Sequence, residues 1–214
     1  MKKVVLLGDS IRMGYDKYVK EALDGKAEVY YPSDNCKFSI NLLRYAHEWK
    51  KAGEWGDDVD VVHWNAGLWD MLDQFGSGPL IPIEFYADTV RRIDTRLRFL
   101  FPRATIVFAT TTTVLDYKYK GPSKRRNSQI KEYNDAAIAA LEGTGALIDD
   151  LYSVTKDMGE EYYTDMTHPY SPEARALLGN KVLECICPLI DITPADISME
   201  SFTPEQYTKE NIGY

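Results

Sequence analysis

Val4-Val5-Leu6-Leu7-Gly8-Asp9-Ser10 gives the chain a short apolar run that stops at a glycine and is followed by a hydroxyl group. A run of this length, rich in β-branched residues, is typical of a strand buried on both faces of a sheet. Four more segments of the same kind follow along the chain. The sequence therefore predicts strands over residues 3–7, 27–31, 59–64, 105–109 and 146–148.

The segments between these strands carry the period of an amphipathic helix. The clearest covers residues 85–101, where apolar residues recur at helical spacing and arginines occupy the other faces. The last begins where Ser171 can cap a helix and Pro172 can take the first helical position. The sequence predicts helices over residues 13–23, 40–51, 85–101, 128–141 and 172 to about 190.

Strands that alternate with helices indicate a parallel sheet covered on both faces. We therefore predict an α/β fold for residues 1–190, a three-layer α/β/α sandwich with a flavodoxin-like, five-stranded parallel sheet. A chain of 214 residues is long enough for one such domain with a sizeable core. Residues 191–214 are polar and aperiodic, and we interpret them as a C-terminal tail that wraps the domain or joins copies of the chain into a homo-oligomer.

The charge and composition of the chain narrow the classes of function. A net charge of -8 argues against nucleic-acid binding, because neutralising phosphates requires a basic face. The N-terminal apolar run is too short for a signal peptide, and we expect no membrane-spanning segment. The three cysteines lack the spacing of a disulfide framework, which favours reduced thiols and a cytoplasmic location.

Polar residues follow several of the predicted strands. Ser10 comes after the first strand, Asn65 after the third, and Asp165-Met166-Thr167-His168 after the fifth. Because the carboxyl ends of parallel strands meet at one edge of the sheet, we expect these residues to lie close together.

These residue types supply the parts of a nucleophilic site. A serine hydroxyl attacks a carbonyl only when a neighbouring base takes its proton, and an imidazole does so well when a carboxylate fixes its tautomer. Three residues of loop let Asp165 fold back onto the ring of His168. As an alternative, Ser10 could serve only as a helix N-cap. The catalytic interpretation is favoured because the aspartate and histidine are both present.

The two blocks resemble those of the SGNH/GDSL hydrolase family. Gly8-Asp9-Ser10-Ile11 is similar to the family's first block, with isoleucine for the usual leucine, and Asp165-Met166-Thr167-His168 matches its Asp-x-x-His block. The resemblance implies that Ser10, Asp165 and His168 are catalytic and that the substrate is a small-molecule ester, such as an O-acetylated carbohydrate. It implies no metal and no organic cofactor.

The middle blocks depart from the family's pattern. Gly67-Leu68-Trp69-Asp70 has tryptophan where the family has the asparagine that donates to the oxyanion, and Asn65 lies just before the glycine. Lys37 stands where a glycine is usual. The resemblance then implies an oxyanion hole built from Ser10, Lys37 and Asn65, with Asp9, Gly67 and Trp69 as candidates for the pocket.

Several alternatives stay open at the level of sequence. The chain could be a non-catalytic ligand-binding protein on the same fold with a degraded oxyanion hole, or a lysophospholipase or thioesterase. A flavodoxin-like nucleotide-binding domain is disfavoured, because no glycine-rich phosphate loop is present. The chain also carries a basic run in an otherwise acidic sequence, which is either solvated surface or a sign of an anionic substrate. This run consists of Lys118, Lys120, Lys124, Arg125 and Arg126.

Overall fold

The computed structural model describes residues 1–200, 202 and 203. Its helices in this part of the chain are α1 (Ser10–Ala22), α2 (Ser39–Ala52), α3 (Ile83–Leu100), α4 (Asn127–Leu141), α5 (Leu151–Thr155) and α6 (Pro172–Ile190). Its strands are β1 (Lys2–Leu7), β2 (Ala27–Tyr30), β3 (Val61–Trp64), β4 (Asp73–Gln74), β5 (Thr105–Ala109), β6 (Ser123–Lys124) and β7 (Leu147–Asp149).

Five of these strands form one parallel sheet in the order β2-β1-β3-β5-β7. The apolar run of β1 lies inside the sheet, between β2 and β3, and Val4, Val5, Leu6 and Leu7 are each 0% exposed. Helices α1 and α6 pack together, and α3 packs between α2 and α4. The predicted three-layer α/β/α sandwich with a flavodoxin-like sheet is confirmed.

The start of α1 differs from the sequence-based prediction. We predicted a helix from residue 13, whereas α1 begins at Ser10. Asp9 is the N-cap, and its side chain accepts a hydrogen bond from the backbone N–H of Ile11 at 2.9 Å. Satisfying this otherwise unpaired donor lets the helix start directly after β1. Ser10 is therefore the first residue of a helix rather than part of a loop.

A short antiparallel ribbon of β4 and β6 was not predicted. Each strand has two residues, with Asp73 opposite Lys124 and Gln74 opposite Ser123. Two residues are too few to display the alternating pattern of a strand. The ribbon holds residues 123 and 124 against the loop that follows β3. The next two residues, Arg125 and Arg126, complete the basic run.

The predicted tail is described in part, and its first half returns along α1. The N–H of Ala195 donates to the carbonyl of Ala22 at 2.8 Å, and the ring of Phe202 lies 5.4 Å from that of Tyr18. Residues 201 and 204–214 of the tail lie outside the described residues. In the part that is described, no helix is both long and apolar enough to cross a bilayer.

The crossing of α1 and α6 provides a test of the packing. A Cβ added to Gly179 of α6 would lie 2.3 Å from the ring of Tyr18. That ring is held by Phe202 and by a 3.0 Å hydrogen bond from its hydroxyl to Asn180. A helical Gly→Ala change normally stabilises by about 1 kcal/mol. Here we expect Gly179→Ala to lower the free energy of unfolding by about 1–3 kcal/mol instead.

Urea denaturation measures this change in the free energy of unfolding. Gly121→Ala is the control, because a Cβ at Gly121 meets no atom within 4 Å and should leave the midpoint almost unchanged. A raised midpoint for Gly179→Ala would contradict the close approach of the two helices.

Candidate active site

Ser10 lies at the carboxyl edge of the sheet, where β1 passes directly into α1. Its hydroxyl oxygen is 2.8 Å from Nε2 of His168, although the two residues are 158 positions apart in sequence. Ser10 is 3% exposed and His168 is 0% exposed. A serine held this close to a buried imidazole can lose its proton to the ring.

Asp165 folds back onto His168 as the three-residue spacing predicts. Its Oδ2 lies 2.7 Å from Nδ1 of the ring, and its Oδ1 accepts the backbone N–H groups of Thr167 at 2.6 Å and His168 at 2.8 Å. Burial raises the pKa of Asp165, but the hydrogen bond and charge of His168 and the two backbone donors outweigh burial and lower it below its usual value. The ionised carboxylate holds the proton on Nδ1, which leaves Nε2 free to accept the proton of Ser10.

Tyr170 contacts both Ser10 and His168, a role that was not predicted from the sequence. Its hydroxyl donates to the carbonyl of Ser10, and its ring centroid is 4.8 Å from that of His168. Arg175 in turn donates to the carbonyl of Tyr170 at 2.9 Å and lies over its ring. The sequence showed only that an aromatic residue stands two positions after His168.

Asn65 contacts Gly8 and Asp9, the two residues that precede Ser10. Its Nδ2 donates to Oδ1 of Asp9 at 2.9 Å, and its side chain packs so tightly against Gly8 that a Cβ there would be 1.9 Å from Oδ1 of Asn65. Burial raises the pKa of Asp9, although Asn65, Ile11 and nearby positive charges act in the opposite direction. An amide nitrogen carries two N–H groups, and the bond to Asp9 occupies one of them.

Lys37 does not offer the N–H group that was expected of it. This N–H donates to Oδ1 of Asn35 at 2.8 Å, so it is already engaged within its own loop. The residue adopts a left-handed backbone, with φ of 53°, a conformation that glycine accepts more readily than lysine. We correct the expectation, because a local turn formed by the asparagine side chain occupies this donor.

The three pocket candidates occupy different environments. Asp9 and Gly67 are buried, and Gly67 lies beneath the hydroxyl of Tyr86 with φ of 143°. Neither lines an open surface. Trp69 is half-buried, with its ring 5.4 Å from that of Phe38 and 5.8 Å from the ammonium of Lys37. Of the three, Trp69 has the most exposed side chain.

Asp70 joins the loop after β3 to the start of α2. Its carboxylate accepts the backbone N–H of Ser39 at 3.0 Å and the Ser39 hydroxyl at 2.5 Å. Burial raises the pKa of Asp70 to about 7. This contact fixes the loop that carries Trp69 relative to α2.

His63 does not line the site. It lies within β3 and is 0% exposed, with Nε2 at 2.9 Å from Oδ2 of Asp149 and Nδ1 at 3.5 Å from the hydroxyl of Tyr15. It is a core histidine with polar partners. Among the described residues, no group of three or more histidine, cysteine or acidic side chains is arranged to hold a metal ion.

Comparison with known proteins identifies the fold. A lipase/acylhydrolase from Enterococcus faecalis is 18% identical, with 97% of this chain and 100% of that chain covered at a TM-score of 0.66. A GDSL-like lipase from Bacteroides thetaiotaomicron is 14% identical, with 86% and 87% covered at 0.63. An acetyl xylan esterase from Geobacillus stearothermophilus is 17% identical, with 86% and 93% covered at 0.61.

No protein-family model matches the sequence, and no curated protein matches it. The similarity is thus one of structure, and it spans most of the chain. The chain has the fold of the SGNH/GDSL hydrolases, as the two sequence blocks implied.

Proposed function

We propose that this protein is a serine ester hydrolase that acts on a small acyl ester through a Ser-His-Asp acyl-enzyme mechanism. The observation that carries the proposal is the continuous chain of contacts from Ser10 Oγ to His168 at 2.8 Å and from His168 to Asp165 at 2.7 Å. The proposal also draws on the fold, which is similar to that of proteins described as lipases, acylhydrolases and esterases.

In the first step, His168 takes the proton of Ser10 at Nε2 while Oγ attacks the ester carbonyl. Asp165 stabilises the imidazolium that forms, and its lowered pKa keeps it ionised for this purpose. His168 then gives its proton to the leaving alcohol. In the second step, His168 activates a water molecule, which releases the acyl group from Ser10.

The developing oxyanion needs donors that are fixed before the reaction begins. We assign this role to the backbone N–H of Ser10, at the first position of α1, and to the second amide N–H of Asn65. The bond from Asn65 to Asp9 orients the amide, and Asp9 is itself held by the N–H of Ile11. Lys37 is not part of this proposal.

The alcohol part of the substrate is proposed to be a carbohydrate, as in the acetyl xylan esterase of the same fold. The half-buried ring of Trp69 offers a surface on which a sugar ring could stack. Lysophospholipid or thioester hydrolysis is the alternative within the same chemistry. A non-catalytic binding protein is disfavoured, because it would have no need of the contacts among Ser10, His168 and Asp165.

A panel of aryl esters and acetylated sugars tests the proposal. We expect hydrolysis of 4-nitrophenyl acetate and stoichiometric labelling of Ser10 by a fluorophosphonate, located by mass spectrometry of the labelled peptide. Hydrolysis of peracetylated xylose faster than of longer 4-nitrophenyl acyl esters would support the carbohydrate assignment. An absence of both turnover and labelling would contradict the proposal.

Asn65→Ala tests the proposed oxyanion donor. Loss of one such donor is expected to lower kcat by about 10²–10³-fold with KM little changed, because the contact forms chiefly in the transition state. The control is Asn134→Ala, which removes another buried amide, one that bonds the backbone N–H and carbonyl of Thr111. That control should affect the free energy of unfolding more than kcat. An unchanged kcat in Asn65→Ala would place the donor elsewhere.

A further inference from the structure

Arg125 differs from the rest of the basic run in being buried. It is 4% exposed, whereas Lys120, Lys124 and Arg126 are exposed. Lys118 pairs with a glutamate, Glu160. The run is therefore solvated surface except at this one position, where a permanent positive charge enters the protein.

The contacts of Arg125 leave its charge without a carboxylate. Its Nε donates to the carbonyl of Leu68 at 2.5 Å, and its Nη1 donates to the hydroxyl of Tyr119 at 3.2 Å. Within residues 1–200, 202 and 203, no acidic side chain forms an ion pair with this guanidinium, and none of their atoms accepts from Nη2. Nη2, which has no partner in these residues, is not fully enclosed by protein atoms.

One partner of Arg125 lies in the loop after β3, and the other contacts the loop that carries His168. Leu68 lies in the loop after β3, next to Trp69. The hydroxyl of Tyr119 is 2.7 Å from Oγ1 of Thr167, the residue before His168. The guanidinium thus lies between the loop of Trp69 and the loop of His168. The electrostatic effect of Arg125 also reaches Asp9, whose pKa it acts to lower.

A buried cation is costly unless an anion compensates it. One carbonyl and one phenol satisfy two of its N–H groups, but no carboxylate of the described residues contacts the guanidinium, and Asp9 senses its charge only at a distance. A guanidinium has a planar edge that fits a carboxylate through two parallel hydrogen bonds, and Nη2 still lacks an acceptor. The chain carries a net charge of -8, so a preference for anions at this place would oppose the field of the whole protein.

We infer that Arg125 is a specificity-determining residue that binds a carboxylate of the ester substrate beside Ser10. This inference rests on the proposed ester hydrolase function and narrows it to acidic esters. The carboxylate belongs either to the acyl part or to the alcohol part of the substrate. In both cases, an anionic group of the substrate lies within reach of Nη2 while the ester carbonyl faces Ser10.

Two pairs of substrates distinguish a carboxylate on the acyl part from one on the alcohol part. Mono(4-nitrophenyl) glutarate carries the carboxylate on the acyl part, and methyl 4-nitrophenyl glutarate is its neutral partner. For the alcohol part, the pair is 4-acetoxybenzoate and its methyl ester. We expect kcat/KM of the wild type to favour the anion of one pair by about 10–100-fold, as is typical of a charged hydrogen bond. The difference should lie chiefly in KM.

Arg125→Gln should abolish this preference, so that the ratio of anionic to neutral kcat/KM falls by about 10–100-fold. Arg125→Lys keeps the positive charge but lacks the planar pair of N–H donors, so it should retain part of the preference for the anionic substrate. The control is Arg126→Gln, which removes an exposed neighbouring charge that pairs with Asp73 at 3.8 Å and should keep the wild-type ratio.

Calorimetry with glutarate, and with glutaramide as the neutral comparison, measures binding without turnover. Binding of glutarate to the wild type that is lost in Arg125→Gln would support the inference even if no ester were hydrolysed, in which case only the proposed hydrolase function would fail. The inference is overturned if the wild type prefers neither anion and does not bind glutarate. It is also overturned if Arg125→Gln lowers the anionic and neutral rates in equal proportion, as loss of a purely structural clamp on Leu68 would.

Discussion

Replacing Ser10 with alanine is expected to lower kcat for ester hydrolysis by about 10⁴-fold or more. The change removes the only atom proposed to form the acyl-enzyme, and it removes no packing volume beyond one oxygen. The hydroxyl contacts Nε2 of His168, and the helix that begins at Ser10 is capped by Asp9 rather than by the serine side chain. The free energy of unfolding should therefore change little.

The measurement is steady-state hydrolysis of 4-nitrophenyl acetate, together with fluorophosphonate labelling. Ser128→Ala is the matched control, since Ser128 is an exposed serine in the first turn of another helix, α4. It should keep the wild-type rate and the label. Turnover by Ser10→Ala above about 1% of the wild-type value would mean that another group is the nucleophile.

The sheet was predictable chiefly because its interior strands β1, β3 and β5 contain apolar runs of the right length. In β1, all four residues of the run are fully buried, so the local pattern and the tertiary structure agree. Strands β4 and β6 have two residues each, which is too short for such a pattern. Their pairing joins residues about fifty positions apart, and the local sequence does not indicate it. The same limit hid the core pair of His63 and Asp149, which lie in different strands.

The contacts of the site were predictable where a short spacing or a strand end fixed them. Asp165 and His168 are three residues apart, and the parallel sheet brings Ser10 to the same edge. The hydrogen-bond partner of the Lys37 backbone N–H was not predicted. The structure shows that this N–H donates to the side chain of the residue two positions earlier. Nor did the sequence distinguish Arg125 from its four basic neighbours, since burial of one residue in a charged run is set by tertiary packing.

Asp165→Asn is expected to lower kcat by about 10⁴-fold, and the contacts of Asp165 give the reason. Oδ1 of Asp165 accepts two backbone N–H groups, from Thr167 and His168, while Oδ2 faces Nδ1 of the ring. An asparagine must keep its carbonyl oxygen on the two backbone donors, because an amide nitrogen cannot accept them. Its NH₂ group then faces Nδ1 and forces the proton onto Nε2, where it points at Ser10 instead of leaving a site for the serine proton.

Pre-steady-state hydrolysis of 4-nitrophenyl acetate would show this as a loss of the acylation burst, with binding of the ester preserved. Asp157→Asn is the control, because it neutralises an exposed carboxylate in the same part of the chain. Asp165→Ala adds a second comparison: it leaves Nδ1 without a fixed partner, so both tautomers are accessible, and it should retain more activity than the asparagine variant. Activity of Asp165→Asn within about tenfold of the wild type would contradict the role of this carboxylate in setting the tautomer of His168.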